Sequence, residues 1–274
     1  MLRALRAFFF RSKIPPRYVS VCCIVKDENE YLEEWIRYHV QVGVEHFFIY
    51  DNGSAVPVKE TLAECNLLEY ATVIPLPGAR KQVKAYRHCI KAFRHTSKWI
   101  AFIDVDEFIV PKEPLGCLPQ LLREYESFGG LGVNWLVFGS GGYTEKSAQP
   151  QLERFIMRSE ERFSANRNIK SIVQPARVNK LTTVHSFSYK KPFFCVNENF
   201  SPVEHALSDV SVKRIRLNHY YCRSLEEYKT KIERGFADKK EQRTLQEFYE
   251  HDKKSNLIKD TTVLEILKKP EAAL

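Results

Sequence analysis

Strand-like and helix-like segments alternate over about the first hundred residues, and this alternation limits the possible folds more than any other feature. Apolar runs of strand length are followed by segments whose apolar residues recur at helical spacing. The predicted strands are residues 19–25, 47–50, 71–76 and 99–103, and the predicted helices are residues 32–40, 58–64 and 81–94. Strands that alternate with helices indicate a mostly parallel central sheet with helices on both faces. The predicted fold class is therefore α/β.

The second half of the chain follows a looser pattern that becomes helical toward its end. The predicted elements are a helix at 119–126, a strand at 131–138, strands and loops over 150–222, and helices from 224 to 235, at 241–251 and at 262–267. We divide the chain into a basic leader (residues 1–17), an α/β domain (18–235) and a C-terminal helical extension (236–274).

Two of the predicted helices begin with the spacing of a capping box. Asp27 is followed three residues later by Glu30, and Ser224 is followed by Glu227. In a capping box the first side chain accepts from the backbone of the helix, and the second returns to the backbone of the first. We therefore expect helices to start at both places.

Three polar clusters follow predicted strands. They are Lys26-Asp27-Glu28, Asp51-Asn52 and Asp104-Val105-Asp106. Ligands of open parallel sheets bind beyond the carboxyl ends of the strands. The clusters therefore indicate a binding site at this edge of the sheet.

The third cluster has the composition of a metal site. In an extended chain, Asp104 and Asp106 point to the same side and Val105 points to the other. Paired carboxylates suit Mg²⁺ or Mn²⁺, which keep coordination positions for phosphate oxygens. Such an ion stabilises the charge that grows on a departing nucleotide diphosphate.

The basic residues are unevenly distributed. The formal net charge is +8, and the leader contains basic residues, the apolar Leu2, Leu5 and Phe8, and no acidic residue. Its apolar run is too short to cross a bilayer, which needs roughly 20 residues. A basic segment with an apolar face predicts peripheral contact with an anionic membrane, and a solvated terminus is the alternative.

The cysteines favour a reducing compartment. There are seven, an odd number, and no two have the CxxC spacing. This pattern argues against a disulfide framework or a zinc site. We expect a cytoplasmic protein, with peripheral contact at the inner face of the membrane.

Five longer blocks carry a resemblance to a known family. They are IVKDENEYLEEWIRYHVQVGVEHFFIYDNGS (24–54), WIAFIDVDEFIVP (99–111), VNWLVFGSGG (133–142), NIKSIVQPARV (168–178) and LNHYYCRSLEEYKTKIERG (217–235). In this order they resemble glycosyltransferase family 92 and its bacterial relatives. The resemblance implies a GT-A (Rossmann-like) fold and a nucleotide-sugar donor. The family includes inverting galactosyltransferases.

The resemblance also implies roles for individual residues. Asp51 would contact the base or ribose of the nucleotide, with Lys26 and Glu28 nearby. Asp104 and Asp106 would hold the metal and the ribose-diphosphate region. His219 would complete the metal or diphosphate site, and His185 is the alternative for that role.

Further donor contacts are suggested by the residues themselves. Lys81 and Gln82 start a predicted helix, where backbone N–H groups favour anions. For the other basic residues at this helix start, Arg80, Lys84, Arg87 and His88, a solvated basic face is the favoured interpretation. Asn168 and Lys170 are candidates for phosphate contact.

The catalytic base is left open by the sequence. Inversion requires a carboxylate, or less often a histidine, within hydrogen-bond reach of the acceptor hydroxyl. The leading candidates are Glu107, Glu145 and Asp209, and Glu153, Glu160 and Glu161 are also available. Their spacing singles out none of them.

The expected function is that of a metal-dependent hexosyltransferase. It would move a sugar, galactose from a UDP donor, onto a glycan or lipid-linked saccharide in cell-surface polysaccharide synthesis. The alternatives are a nucleotidyltransferase that uses the same metal–carboxylate site, an inactive glycan-binding relative, and a nucleic-acid-binding protein. The last is disfavoured because the basic residues are mixed with acidic ones and no recognised nucleic-acid motif is present. We expect no nucleic-acid partner.

Overall fold

The computed structural model describes residues 17–112 and 117–268, so the membrane contact predicted for the leader lies outside the described residues. The first half of the chain forms β1 (Arg17–Val25), α1 (Asn29–Gln41), β2 (His46–Asp51), α2 (Val58–Glu64), β3 (Ala71–Pro75), α3 (Gln82–Phe93) and β4 (Ser97–Phe102). Each of these elements was predicted, with bounds that differ by a few residues at most.

The first four strands form a parallel unit in the order β3-β2-β1-β4. Successive residues of β1 enter two different cores. Val21 and Cys23 pack into the core on one face of the sheet, and Cys22 and Ile24 pack into the core on the other. The nearly continuous apolar run of this strand, broken only by Ser20, is explained by burial on both faces.

The middle of the chain extends the same sheet. It contributes β5 (Glu107–Pro111), α4 (Leu118–Arg123), β6 (Gly130–Val137), α5 (Gln151–Arg154), β7 (Met157–Arg158), β8 (Ile169–Val173), β9 (Val178–Leu181), β10 (Phe187–Tyr189), β11 (Cys195–Val196) and β12 (Ile215–His219). Beyond β4 the order is β8-β6-β12-β5, with β8 antiparallel to β4 and β6 and with β5 antiparallel to β12. The predicted α/β class with a mostly parallel central sheet is confirmed.

The C-terminal part is helical and packs against the sheet. It forms α6 (Leu225–Arg234), α7 (Leu245–Ser255), β13 (Ile258–Lys259) and α8 (Thr262–Leu267). Strand β13 pairs antiparallel with β7. Asp260 accepts hydrogen bonds from Arg158 Nε at 2.7 Å and from both terminal nitrogens of Arg216 at 2.8 Å. These contacts join residues 245–268 to strands of the α/β domain.

Of the two predicted capping boxes, one is confirmed and one is wrong. Ser224 and Glu227 make both reciprocal hydrogen bonds at the start of α6. At the start of α1, Glu28 is the N-cap residue and makes no side-chain cap. Asp27 lies one residue earlier with φ of +51°, and its Oδ1 accepts from the Ala55 N–H at 2.8 Å. Asp27 therefore ties the turn after β1 to the loop after β2.

None of the helices within residues 17–112 and 117–268 has the length and hydrophobicity needed to span a bilayer.

Candidate active site

A cavity of about 470 Å³ lies beyond the carboxyl ends of β1 and β4, at the edge where the sequence predicted a ligand site. From the first half of the chain its lining includes Lys26, Glu28, Asn52, Gln82, Asp104 and Asp106. From the second half it includes Trp135, Asn168, Lys170, His185, His219, Arg234, Asp238 and Glu247. The cavity is therefore built jointly by the sheet and the C-terminal helices.

A tight turn between β4 and β5 carries the two acidic residues. The Glu107 N–H donates to the carbonyl oxygen of Asp104 at 3.1 Å. The expectation of an extended chain here is wrong, because this hydrogen bond closes a turn. Val105 is buried in the core, and the carboxylates of Asp104 and Asp106 nevertheless line the same cavity.

Asp104 is held by a buried lysine and an amide. Its Oδ2 accepts from Lys170 Nζ at 2.6 Å, and its Oδ1 accepts from Gln82 Nε2 at 2.8 Å. Lys170 lies on β8, and Glu107 is 3.6 Å from the same ammonium group. Burial alone would lower the pKa of Lys170, but the carboxylates of Asp104 and Glu107 raise it above its ordinary value. Lys170 is therefore a fixed positive charge in the cavity wall.

Asp106 is held in the same way by a lysine from α6. Its Oδ2 accepts from Lys231 Nζ at 2.6 Å, and His219 Nε2 lies 3.7 Å away. Burial alone would raise the pKa of Asp106, but Lys231 and His219 hold it well below its ordinary value. Lys231 also donates to the carbonyl oxygens of Tyr220 at 3.2 Å and Tyr221 at 2.9 Å, which fixes its position.

His219 presents a neutral imidazole to the cavity. Burial lowers its pKa, against the opposing effect of Asp106. The ring packs on Trp135 with centroids 4.3 Å apart. His185, the alternative candidate, also lines the cavity, but its Nδ1 pairs with the Ile169 carbonyl oxygen at 2.9 Å. Burial lowers the pKa of His185 to about 4.

The side chains at this wall fit a divalent cation that a ligand helps to coordinate. Among the described residues, no group of three or more His, Cys, Asp or Glu side chains could hold an ion by itself. Mg²⁺, however, is commonly bound through one or two carboxylates together with substrate phosphates. Asp106 Oδ2 and His219 Nε2 lie 3.7 Å apart, and they would supply one carboxylate oxygen and one imidazole nitrogen to a bound ion. Phosphate oxygens would have to supply the others.

Comparison with known proteins decides the family. The sequence matches the profile of glycosyltransferase family 92 over residues 17–265. The chain belongs to glycosyltransferase family 92.

The relatives of this family 92 chain are longer than the regions that it matches. It is 29% identical over 221 residues to a glycosyltransferase family 92 protein of Oryza sativa subsp. japonica. The matched region covers 78% of this chain and 35% of the rice protein. A stretch of 110 residues, 35% of this chain and 21% of the relative, is 34% identical to a galactan beta-1,4-galactosyltransferase of Arabidopsis thaliana. The chain thus spans about a third of the length of the rice relative.

Likeness to solved structures is weak. S. aureus TarS, residues 1–349, superimposes with a TM-score of 0.38 at 15% identity, over 58% of this chain and 47% of that one. No conclusion about the chemistry of the family 92 chain follows from this likeness.

The cavity brings together most of the predicted donor and metal residues of the family 92 chain. Those in its lining are Lys26, Glu28, Gln82, Asp104, Asp106, Asn168, Lys170 and His219. Asp51 and Lys81 are not in the lining. The Asp51 carboxylate instead accepts from the backbone N–H groups of Ser54 at 2.9 Å and Val58 at 3.1 Å, so it shapes the loop before α2.

None of the three leading candidates for the catalytic base lines the cavity. Glu107 is fully buried behind Asp104, and its Oε2 accepts from the Asp104 N–H at 2.8 Å. Burial raises the pKa of Glu107 well above its ordinary value. Lys170 acts in the opposite direction, and the nearby Asp104 carboxylate raises this pKa further. Glu145 lies in an exposed loop. The side chain of Asp209 is 99% exposed and pairs with Arg167.

Three residues that sequence reasoning missed complete the cavity: Lys231 behind its wall, and Arg234 and Asp238 in its lining. Arg234 is fixed by Glu28, whose Oε1 lies 3.1 Å from its NH2 group. A signal for Lys231 existed in the sequence. Glu227 and Lys231 are four residues apart on the buried face of an amphipathic helix, where a charged residue needs a partner. The identity of that partner depends on the fold.

Proposed function

We propose that this chain transfers a hexosyl group from a nucleotide-diphosphate sugar to an acceptor hydroxyl with inversion, and that the donor is UDP-galactose. The observation that carries the proposal is the cavity wall of Asp104, Asp106 and His219, backed by two lysines, in a member of family 92. The galactan galactosyltransferase among the relatives supports galactose as the sugar.

The charges around the cavity suit a diphosphate. Lys26, Lys170 and Arg234 all lie in its lining. Lys170 is paired with Asp104 and Arg234 with Glu28, so little reorganisation of these two side chains is needed when an anion arrives. We assign the diphosphate to this side and the nucleoside to the end formed by Asn52 and Gln82.

We propose that Mn²⁺ or Mg²⁺ binds at Asp106 and His219, with Asp104 as the second carboxylate. When bound with the donor, the ion neutralises negative charge on the diphosphate as it leaves. Lys231 and Lys170 orient the two carboxylates. The neutral state of His219 leaves a nitrogen lone pair for coordination.

Asp238 is the carboxylate that we propose as the base. The other acids of the lining are occupied: Glu28 by Arg223 and Arg234, Asp104 and Asp106 by lysines, and Glu247 by the cap of α7. Asp238 makes no hydrogen bond or ion pair with any described residue, and it is partly exposed to the cavity. A free carboxylate there can accept the proton of an acceptor hydroxyl.

For the acceptor we propose a glycan or lipid-linked saccharide of a cell-surface polysaccharide, assembled at the cytoplasmic face of the membrane. The seven free cysteines support a reducing compartment. The net charge of +8 supports an anionic surface or polymer as neighbour.

The test is release of UDP from UDP-galactose, followed with Mn²⁺, with excess chelator, and with UDP-glucose and a nucleoside triphosphate as competing substrates. Asp106→Ala should lower the rate by about a hundredfold or more, because it removes a ligand that supports the leaving group. Glu145→Ala is the control on an exposed loop and should leave the rate unchanged. Full activity of Asp106→Ala in chelator would exclude the metal, and turnover of the triphosphate alone would identify a nucleotidyltransferase.

A further inference from the structure

The segment around α3 carries an unusual concentration of positive charge. Residues 80–98 contain seven Lys and Arg residues and no Asp or Glu. The basic residues are Arg80, Lys81, Lys84, Arg87, Lys91, Arg94 and Lys98. This part of the chain accounts for a large share of the net charge of +8.

The periodicity of α3 places three of these charges on one side of the helix. Its buried residues are Gln82, Ala85, Tyr86, Cys89 and Ile90. Lys84, Arg87 and Lys91 are exposed on the opposite side, at intervals of three and four residues. Together with Arg80 they border a shallow groove of about 530 Å³. We call Arg80, Lys84, Arg87 and Lys91 the α3 basic face.

The charges of the α3 basic face are not neutralised by the protein. Lys98 pairs with Glu126 at 3.5 Å. The four residues of the face make no ion pair with any acidic residue in the described ranges, whereas Lys170 and Lys231 are each paired at 2.6 Å. The like charges of Lys84, Arg87 and Lys91 along α3 repel one another and destabilise the helix slightly. An external anion bound along this face would offset the repulsion.

We propose that the α3 basic face binds the anionic headgroup surface of a membrane. A straight helix rises about 1.5 Å per residue, so Lys84 and Lys91 present their ammonium groups along a line of roughly 10 Å that a flat surface can meet at once. A Lys or Arg side chain near an anionic membrane surface raises partitioning by roughly fivefold.

The neighbouring chain favours a lipid surface over other polyanions. The Arg17 N–H donates to the Thr96 carbonyl oxygen at 2.8 Å, just beyond the end of α3. Residues 1–16 precede Arg17 in the sequence, and they combine basic residues with Leu2, Leu5 and Phe8. Apolar side chains add to membrane affinity and add nothing to binding of a soluble polyanion.

The same face is poorly suited to nucleic acid. Proteins that bind single strands stack bases on exposed aromatic rings. None of the exposed large hydrophobic side chains in the described residues lies on α3. The groove that the basic residues border is shallow and, within the described part of the chain, is lined by no Phe, Tyr or Trp side chain on which a base could stack.

The test is co-sedimentation of the full chain with sucrose-loaded vesicles, either of phosphatidylglycerol mixed with phosphatidylcholine or of phosphatidylcholine alone. The variant Lys84→Glu/Arg87→Glu/Lys91→Glu should lower the partition coefficient on anionic vesicles by about a hundredfold or more. The matched control Lys59→Glu/Lys213→Glu/Lys253→Glu has the same net charge and changes exposed lysines elsewhere. It should stay within about threefold of the unchanged chain, because its charges lie off the face.

Each outcome bears on the proposal. If both variants lose vesicle binding equally, binding depends on the overall net charge and not on the α3 basic face. If the α3 variant binds vesicles as well as the unchanged chain does, another segment makes the membrane contact. Tighter binding to duplex DNA or to an acidic polysaccharide than to vesicles at the same ionic strength would also overturn it. If the reversal variant fails to fold, Lys84→Gln/Arg87→Gln/Lys91→Gln should still show a smaller loss. The three side chains lie outside the cavity lining, so vesicle binding and sugar transfer can fail independently.

Discussion

Lys231 Nζ lies 2.6 Å from Asp106 Oδ2, although the two residues are 125 positions apart in the chain. The pair connects the turn after β4 to helix α6. It neutralises the carboxylate that we propose as a metal ligand, and it fixes the side chain toward the cavity. The C-terminal helices are in this way part of the site and not merely adjacent to it.

Lys231→Met should strongly destabilise the protein. It leaves the carboxylate of Asp106 without its cation in a largely buried position, and loss of one partner of a buried pair costs about 3–5 kcal/mol. The free energy of unfolding in urea measures the effect at neutral pH. Lys229→Met, on the exposed face of the same helix, should change it by less than about 0.5 kcal/mol. Similar losses in both variants would contradict the role of the pair.

Asp238→Asn should lower kcat for transfer by roughly 10²–10⁴-fold with little change in the KM for the donor, because only proton removal from the acceptor is affected. Steady-state kinetics with saturating acceptor measure this. Asp209→Asn, at an exposed acid outside the cavity lining, is the control and should retain full activity. If Asp238→Asn is fully active, the base is another group.

His39 should make the stability of the protein depend on pH. It is fully buried, its Nδ1 lies 2.8 Å from the Trp35 carbonyl oxygen, and its Nε2 accepts from the Ile109 N–H at 3.2 Å. Burial lowers its pKa from 6.5 to about 3, although the hydrogen bond to the Trp35 carbonyl oxygen acts to raise it. Nε2 cannot be protonated without breaking the bond to Ile109.

The sign of this dependence follows from the two pKa values. Between about 6.5 and 3 the unfolded chain binds a proton at His39 that the folded chain does not, so stability rises with pH. The contribution of neutral His39 to the free energy of unfolding is complete above pH 6.5. It is lost as the pH falls toward 3, by up to about 1.4 kcal/mol per pH unit. Urea unfolding of His39→Gln over this range should show a shallower slope. His95→Gln, at an exposed histidine, should keep the original slope.

Asp260→Ala should detach the end of the chain from the sheet. It removes the acceptor of hydrogen bonds from Arg158 and Arg216 and leaves two guanidinium groups without their partner, at a cost of about 3–5 kcal/mol. Hydrogen exchange should show loss of protection in α8 along with lower stability in urea. Glu265→Ala, at an exposed acid of α8 itself, should leave both unchanged. Unchanged protection in Asp260→Ala would mean that packing alone holds this segment.

The parallel half of the fold was predictable because its signals are local. Residues 19–25 form a run that is apolar except for Ser20, and a run of this kind and length is typical of a strand covered on both faces. The capping box at Ser224 was predictable for the same reason, since its partners are three residues apart. Asp27 shows the limit of this reasoning. Its spacing fits a cap, but Ala55, from a distant loop, offers the competing hydrogen bond.

The sequence by itself determined the α/β class, the edge of the sheet that carries the polar residues, and the acidic pair Asp104 and Asp106, because these depend on periodicity and on neighbours along the chain. Only the tertiary structure decided which partner each acid has. Lys170 and Lys231 reach Asp104 and Asp106 from elements 66 and 125 positions away. The tertiary structure also places Glu107 behind the cavity wall and Asp238 in the cavity lining. The energy of a buried charge depends on what surrounds it in space, and sequence spacing carries no record of that.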